Sequence, residues 1–273
     1  SSLPMLGNPS KNSTTRKILL VSDLHSNPLG SKLIQSLVND FSVDFIIDAG
    51  DLTDFGSPLE TEIVKEISKL DVPYIFAPGN HDSPQIKETL NIIDNVVILE
   101  GDIISVAGLK ILGFSDPLSY SSDVTVKNHL LWKDIIMKEV KTCQDKINQE
   151  ATPEILVIHN PEISQQLAED NNIPLIVNGH THRQKLETGI GKSLTINPGS
   201  TGAAGLRGLY SEKGTPYAAV LLHFDPQQGP LTADFIQYDP LSKRFSLERR
   251  LLEKEQPEEE ITEVFTDQTN AVE

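Results

Sequence analysis

Short apolar runs recur along the chain, and most of them stop abruptly at polar residues. Ile18-Leu19-Leu20-Val21, Phe45-Ile46-Ile47 and Tyr74-Ile75-Phe76-Ala77 are continuous rather than alternating. That pattern predicts strands buried on both faces. Between them lie stretches with helical spacing. One lies near Ser31 to Asn39 (Leu33, Ile34, Leu37, Val38), and one runs from Glu60 to Leu70 (Ile63, Ile67, Leu70). The resulting β-α-β-α-β order predicts a parallel sheet with right-handed crossovers.

The middle of the chain changes style. Asp102 to Val106 and Leu109 to Gly113 flank Ala107-Gly108, a hairpin signal. Ser115 to Asp123 reads as loop, and Lys127 to Gln149 is the longest helical pattern. Strands return at Ile155 to Ile158, Leu175 to Val177 and Leu194 to Ile196, and Tyr217 to Phe224 with Leu231 to Tyr238 reads as an antiparallel pair. The expected organisation is a flexible leader (1–16), one domain (17–250) with a helical insert near the site (115–150), and an acidic tail (251–273). Composition makes the tail a solvated segment; a docking segment for a basic partner is the other reading.

Charge narrows the functional classes. Of 273 residues, 39 are acidic and 23 basic, a formal charge of −16. Such a chain gains little from the phosphate neutralisation that drives binding to long nucleic acids. The single Cys143 rules out an internal disulfide and a thiolate cluster. No apolar run approaches the ~18 residues that span a bilayer, and nothing resembles a signal peptide. The expected location is the cytoplasm. The chain opens on Ser1 rather than Met, so a processed or truncated form of an anchored protein stays open.

The chemistry sits where the strands end. Ser22-Asp23-Leu24-His25, Ala49-Gly50-Asp51, Ala77-Pro78-Gly79-Asn80-His81-Asp82 and Asn178-Gly179-His180-Thr181-His182 all follow apolar runs, and a further run ends in His159. Strand ends are where α/β proteins place their chemistry. Taken singly, each motif has a plain explanation: a turn carboxylate, a helix cap, a core histidine. Together Asp23, His25, Asp51, Asn80, His159, His180 and His182 form a mixed carboxylate, amide and imidazole set that suits Mn, Fe or Zn better than Ca or Mg. In extended backbone, residues i and i+2 share a side, so Asp23/His25 and His180/His182 are each expected to grip one ion. Glycines 50, 79 and 179 are expected to supply the backbone angles of abrupt loops. Seven ligands exceed one ion's needs and suit two, divalent or trivalent, with Asp51 as the bridge. Two such ions clamp a phosphoryl group and activate water. His129 and His223 fall in a helix pattern and an apolar strand and read as structural.

The ordered set Asp23-x-His25, Gly50-Asp51, Gly79-Asn80-His81-Asp82, His159 and Gly179-His180-x-His182 resembles the calcineurin-like metallophosphoesterases, and the resemblance spans roughly Lys17 to Phe224. It implies an α/β fold, a four-layer α/β/β/α sandwich of two mixed sheets. It implies one ion on Asp23, His25, Asp51 and His182 and another on Asp51, Asn80, His159 and His180. His81 is similar to the histidine that contacts phosphate and assists the leaving group, with Asp82 holding its imidazole. The implied reaction is in-line attack of metal-bound hydroxide on a phosphate ester, foremost a phosphodiester. A phosphomonoesterase or protein phosphatase is the alternative, and a non-catalytic protein-binding scaffold of the same fold is a third. The expected substrate is a phosphorylated small molecule or nucleotide. Arg207, after Asn197-Pro198-Gly199-Ser200, is a candidate fork onto substrate phosphate, and Asn27 a candidate for lining the site. Ser115 to Glu150 is the candidate wall or lid.

Overall fold

A computed structural model describes residues 15–54, 61–119, 128–149, 152–188, 193–205 and 215–252. The first strands are β1 (Arg16–Val21), β2 (Phe45–Asp48), β3 (Tyr74–Phe76) and β4 (Val96–Ile98), with α1 (Pro28–Phe41), α2 (Thr61–Ile67) and α3 (Pro84–Leu90) between them. These four strands pair in parallel. The hairpin β5 (Ile104–Val106) and β6 (Leu109–Phe114) follows, then α4 (His129–Gln149), β7 (Ile155–Ile158), α5 (Pro161–Asp170), β8 (Leu175–Val177), β9 (Gln184–Thr188) and β10 (Leu194–Pro198). The chain closes with β11 (Tyr217–Asp225), β12 (Gly229–Asp239) and β13 (Arg244–Leu251).

Two mixed sheets result. One has the order β13-β12-β11-β1-β2-β3-β4 and the other β5-β6-β7-β8-β10-β9. Alternate residues of each buried strand face different layers. Ile18 and Leu20 of β1 pack with Ile111, Val157 and Val177 between the sheets. Leu19 and Val21 of the same strand pack against Ile34, Leu37 and Ile67 of the outer helices. A third cluster seats α4 and α5 on the second sheet through Ile136, Ile147, Ile163 and Leu167. Burying a side chain of this size contributes roughly 1.5–3 kcal/mol, which is why these strands carry no polar alternation. The four-layer α/β/β/α sandwich is the architecture expected from the sequence.

Three helices begin with a cap followed by proline: Asn27-Pro28, Ser83-Pro84 and Asn160-Pro161. Each cap side chain accepts a backbone N–H of the first turn, and proline at the first helical position has no N–H to satisfy. These caps lie one to two residues beyond His25, Asp82 and His159, so each helix starts where a site loop ends. α3 and α5 were not expected from hydrophobic spacing; the cap-proline pairs were their signal.

The described part of the 115–150 segment splits in two. α4 lies in the outer helical layer, while the turn at Asp116 hydrogen-bonds to the Pro78 carbonyl beside the site loops. His129 is the first residue of α4 and His223 lies in β11. Cys143 is buried in the α4 layer, where burial and nearby Glu139 push its thiol pKa up. Among the described residues, no helix is long and apolar enough to cross a membrane. Residues 1–14 of the leader, 253–273 of the acidic tail and Arg207 lie outside the described residues; Arg16 belongs to β1 and Leu251 to β13.

Candidate metal centre

All five candidate loops converge at the C-terminal ends of parallel strands. The first sheet brings Asp23 and His25 after β1, Asp51 after β2, and Asn80 after β3. The second brings His159 after β7, and His180 and His182 after β8. Hydrogen bonds continue the pairing past the strands: Asp23 N–H to Gly50 O at 2.8 Å, His25 N–H to Asp51 O at 3.0 Å, and Gly179 N–H to His159 O at 3.0 Å. The two sheets are joined by the His180 N–H, which donates to Asp23 Oδ2 at 3.0 Å.

The ligand loops are not extended. Asp23, His25, Asp51, His180 and His182 all have left-handed backbones, with φ of 53°, 46°, 56°, 72° and 58°. The i, i+2 argument therefore fails in geometry, and it holds for one pair alone: Asp23 and His25 gather in one set of ligands, whereas His180 and His182 are divided between two. Each left-handed non-glycine residue costs on the order of 1–2 kcal/mol, tolerated where surrounding hydrogen bonds over-determine the loop. Of the three glycines, only Gly50 has such an angle, at +101°. Gly79 and Gly179 are required for space. A Cβ on Gly79 would stand 2.3 Å from Asp51 Oδ1, and one on Gly179 would stand 2.1 Å from Ser22 Oγ.

Two sets of side chains gather their ligand atoms within 4.8 Å: Asp23, His25 and His182, and Asp51, His159 and His180. His25 Nε2 lies 3.0 Å from His182 Nε2, and His182 Nε2 lies 3.2 Å from Asp23 Oδ1. His159 Nε2 lies 3.3 Å from Asp51 Oδ2, and that same oxygen lies 3.9 Å from His25 Nε2. His180 Nδ1 lies 3.0 Å from Asn80 Oδ1. Adjacent donors around an ion with bonds of about 2.1 Å stand roughly 3 Å apart. The fit is also visible in what is left over. Asp23 Oδ1 and His159 Nε2 are buried without a hydrogen-bond partner. Such atoms are costly unless a cation completes them.

A second layer orients the imidazoles. His159 Nδ1 contacts the Ala49 carbonyl at 2.7 Å, which fixes its proton there and turns the Nε2 lone pair inward. His25 Nδ1 lies 3.0 Å from Asp54 Oδ1. Burial disfavours a charged His159, but Asp51 and Asp23 override it and raise its pKa well above the ordinary value. Burial raises Asp51 in turn, yet His159 and His25 hold it below the usual carboxylate range. A cation between them would take the place of that proton. His180 is lowered, by burial and by the neighbouring His159.

Two expected roles are corrected. Asp82 does not hold the His81 imidazole. Its carboxylate accepts the N–H groups of Asp51, Thr53 and Gly79 at 2.8, 3.0 and 2.9 Å, Leu52 N–H at 3.3 Å and the Thr53 hydroxyl at 3.1 Å. Asp82 is thus the anchor of the Asp51 loop. The His81 ring contacts the Asp54 carbonyl through Nδ1 at 2.7 Å. Asn27 does not line the site for substrate. Its Oδ1 caps α1 and its Nδ2 donates to Gly202 O at 2.8 Å and Tyr217 Oη at 3.2 Å, which uses both ends of the amide. Asp54, which serves both His25 and His81, was missed; its signal was the Gly50-Asp51-x-x-Asp54 spacing.

The calcineurin-like phosphoesterase family model matches residues 16–184, more than half of the chain. The chain belongs to this family. The match contains all seven expected ligands of this calcineurin-like phosphoesterase. The chain is 28% identical over 179 residues to the uncharacterised protein YpbG of Bacillus subtilis, covering 63% of each. It is 26% identical over 175 residues to an uncharacterised metallophosphoesterase of Helicobacter pylori, covering 61% of this chain and 44% of that one. It thus spans less than two thirds of the length of these curated relatives. Its fold is similar to that of TT1561 of Thermus thermophilus (TM-score 0.57, 13% identity, 86% of this chain and 98% of that one). It is also similar to that of a dimetal phosphatase from Danio rerio (TM-score 0.52, 11% identity, 81% and 95%).

Proposed function

We propose that this chain hydrolyses phosphate esters, foremost phosphodiesters, at a dinuclear metal centre. Asp23, His25, Asp51 and His182 would hold one ion, and Asp51, Asn80, His159 and His180 the other. The observation that carries this reading is a buried atom without a hydrogen-bond partner in each triad, Asp23 Oδ1 in one and His159 Nε2 in the other. The donor set suits Mn, Fe or Zn. When bound, the ions supply Lewis acidity toward phosphoryl oxygens and acidify water.

The chain's own groups divide the remaining work. Asp51 reaches both triads, since its Oδ2 lies near His159 and His25 together. Its other oxygen accepts the His81 N–H at 2.9 Å, which ties the proton-transfer residue to the centre. A carbonyl only accepts, so the His81 proton on Nδ1 is committed to Asp54 O, and Nε2 is the nitrogen that exchanges a proton with substrate. An alkoxide leaving from a diester needs that proton, which supports the diester over the monoester.

The test loads the protein with Mn²⁺ and compares rates on bis-p-nitrophenyl phosphate and p-nitrophenyl phosphate. Faster turnover of the diester, with about two ions per chain, is expected. Faster turnover of the monoester would assign a phosphatase instead. Two bound ions without turnover of either would favour the scaffold.

A further inference from the structure

β13 is the last strand of the seven-stranded sheet, and among the described residues its outer edge pairs with nothing. The Leu252 N–H donates to Leu231 O at 2.8 Å, which fixes how the strand divides its backbone groups. In an antiparallel pair, successive residues turn their N–H and C=O alternately toward the partner and away from it. The register with β12 runs without a shift. Arg244, Ser246, Glu248 and Arg250 therefore face β12, like Leu252. Phe245, Leu247, Arg249 and Leu251 offer their N–H and C=O groups to the free edge.

The side chains along this edge suit one partner. Leu247 packs against the outer-helix cluster, so Phe245 lies on that side too, 44% exposed and beside Tyr238. Arg244, Ser246 and Glu248 lie on the other side and are exposed. Charged residues commonly keep an exposed edge single. Here two opposite charges stand either side of Ser246, so the edge is complementary to itself. A two-fold axis at Ser246 sets Arg244 against Glu248 of a second copy, and Glu248 against its Arg244. The same axis sets Phe245 opposite Leu247, and these are residues whose backbone groups are free. The pairing ends at Arg249, which Asp234 already holds.

The other registers lose this match. An axis at Phe245 leaves both charges facing serines. An axis at Leu247 sets Arg244 against Arg250, and one at Glu248 or Arg249 sets that residue against itself. Like charges directly opposite are destabilising, and opposite ones are favourable.

We propose that this chain forms a two-fold dimer through antiparallel pairing of β13, with the axis at Ser246. The sheets of the two copies then continue as one, seven strands from each. Antiparallel pairing points the two metal ends in opposite directions, so the centres lie at opposite ends of the joined sheet.

Sedimentation of the full chain in a concentration series up to ~100 μM tests this. The wild type is expected to be dimeric at the top of the series. Arg244→Glu and Glu248→Arg each put like charges in both contacts, and each should be monomeric. Mixed in equal amounts the two variants should dimerise again, because each supplies the charge that the other lacks. This recovery also shows that both variants fold. A monomeric wild type would overturn the inference, as would single variants that associate like wild type or a mixture that stays monomeric. Cross-linking tests the axis. Ser246 would meet its own copy with Cα atoms ~4.5 Å apart, within disulfide range, and the native Cys143 is buried. Ser246→Cys should form an intermolecular disulfide under mild oxidation, and Ser242→Cys should not. Equal cross-linking of the two would overturn the register. None of these readouts depends on metal or turnover.

Discussion

The Asp82 carboxylate accepts the backbone N–H of Asp51 at 2.8 Å, so the residue next to His81 in sequence serves a loop 31 residues away. With the Gly79 N–H it ties the β2 and β3 loops to one carboxylate. Removing it leaves several buried N–H groups unsatisfied, and losses of this kind run to about 3–5 kcal/mol. Asp82→Ala should therefore lower the urea midpoint and reduce retained metal together. A variant with wild-type stability and metal content would contradict the anchoring role.

His81 and Asp51 should separate cleanly. His81→Ala removes a ring that joins neither triad, so metal content should stay near wild type while turnover falls ~10²–10⁴-fold. Asp51→Ala removes the carboxylate proposed to bridge the two ions and should empty both positions. Elemental analysis of the two purified variants checks this. Metal loss in the histidine variant would place His81 among the ligands.

Gly179 is expected to be intolerant even of alanine. The new Cβ would meet Ser22 Oγ at 2.1 Å and His159 Nδ1 at 2.9 Å. One or both must shift, and His159 would lose its set against Ala49. Gly179→Ala should bind Mn²⁺ at least tenfold more weakly by titration calorimetry, with far-UV circular dichroism unchanged. Gly108→Ala, whose Cβ meets nothing within 4 Å, is the comparison, and it should bind like wild type. Equal affinity in all three proteins would remove the spatial argument.

A pH effect is expected far from the centre. Burial opposes ionisation of Asp234, but Arg249, bidentate at 2.6 and 2.7 Å, and His223 hold its carboxyl down at about 2. In the unfolded chain it titrates near 3.9. A depressed native value contributes stability that is present above about pH 4 and lost as pH falls toward 2. The contribution is about 1–2 kcal/mol after allowing for solvent around Arg249. Arg249→Met should lower stability above pH 4 and flatten its acid dependence between pH 4 and 2. Parallel acid curves for variant and wild type would show that the pair contributes nothing.

The sequence by itself determined the parts whose chemistry is local. Doubly buried strands need continuous apolar runs, so β1, β2, β3, β7 and β8 were legible, and with them the strand ends that carry Asp23, His25, Asp51, His159, His180 and His182. Ligand identity was legible for the same reason: a mixed oxygen and imidazole set in order along the chain serves few purposes. β4, β9 and β13 were not. β4 has three residues, and β9 and β13 lie at sheet edges, where no strict apolar pattern is needed.

Tertiary structure alone decided who holds whom. Asp82, Asp54 and Asn27 are short polar side chains that can cap, anchor or ligate with equal ease. Their roles follow from partners 27 to 190 residues away, across loops and between sheets. The left-handed ligand loops belong to the same class. Non-glycine residues avoid that conformation by themselves, and they adopt it here because hydrogen bonds between β1, β2, β7 and β8 leave no other path.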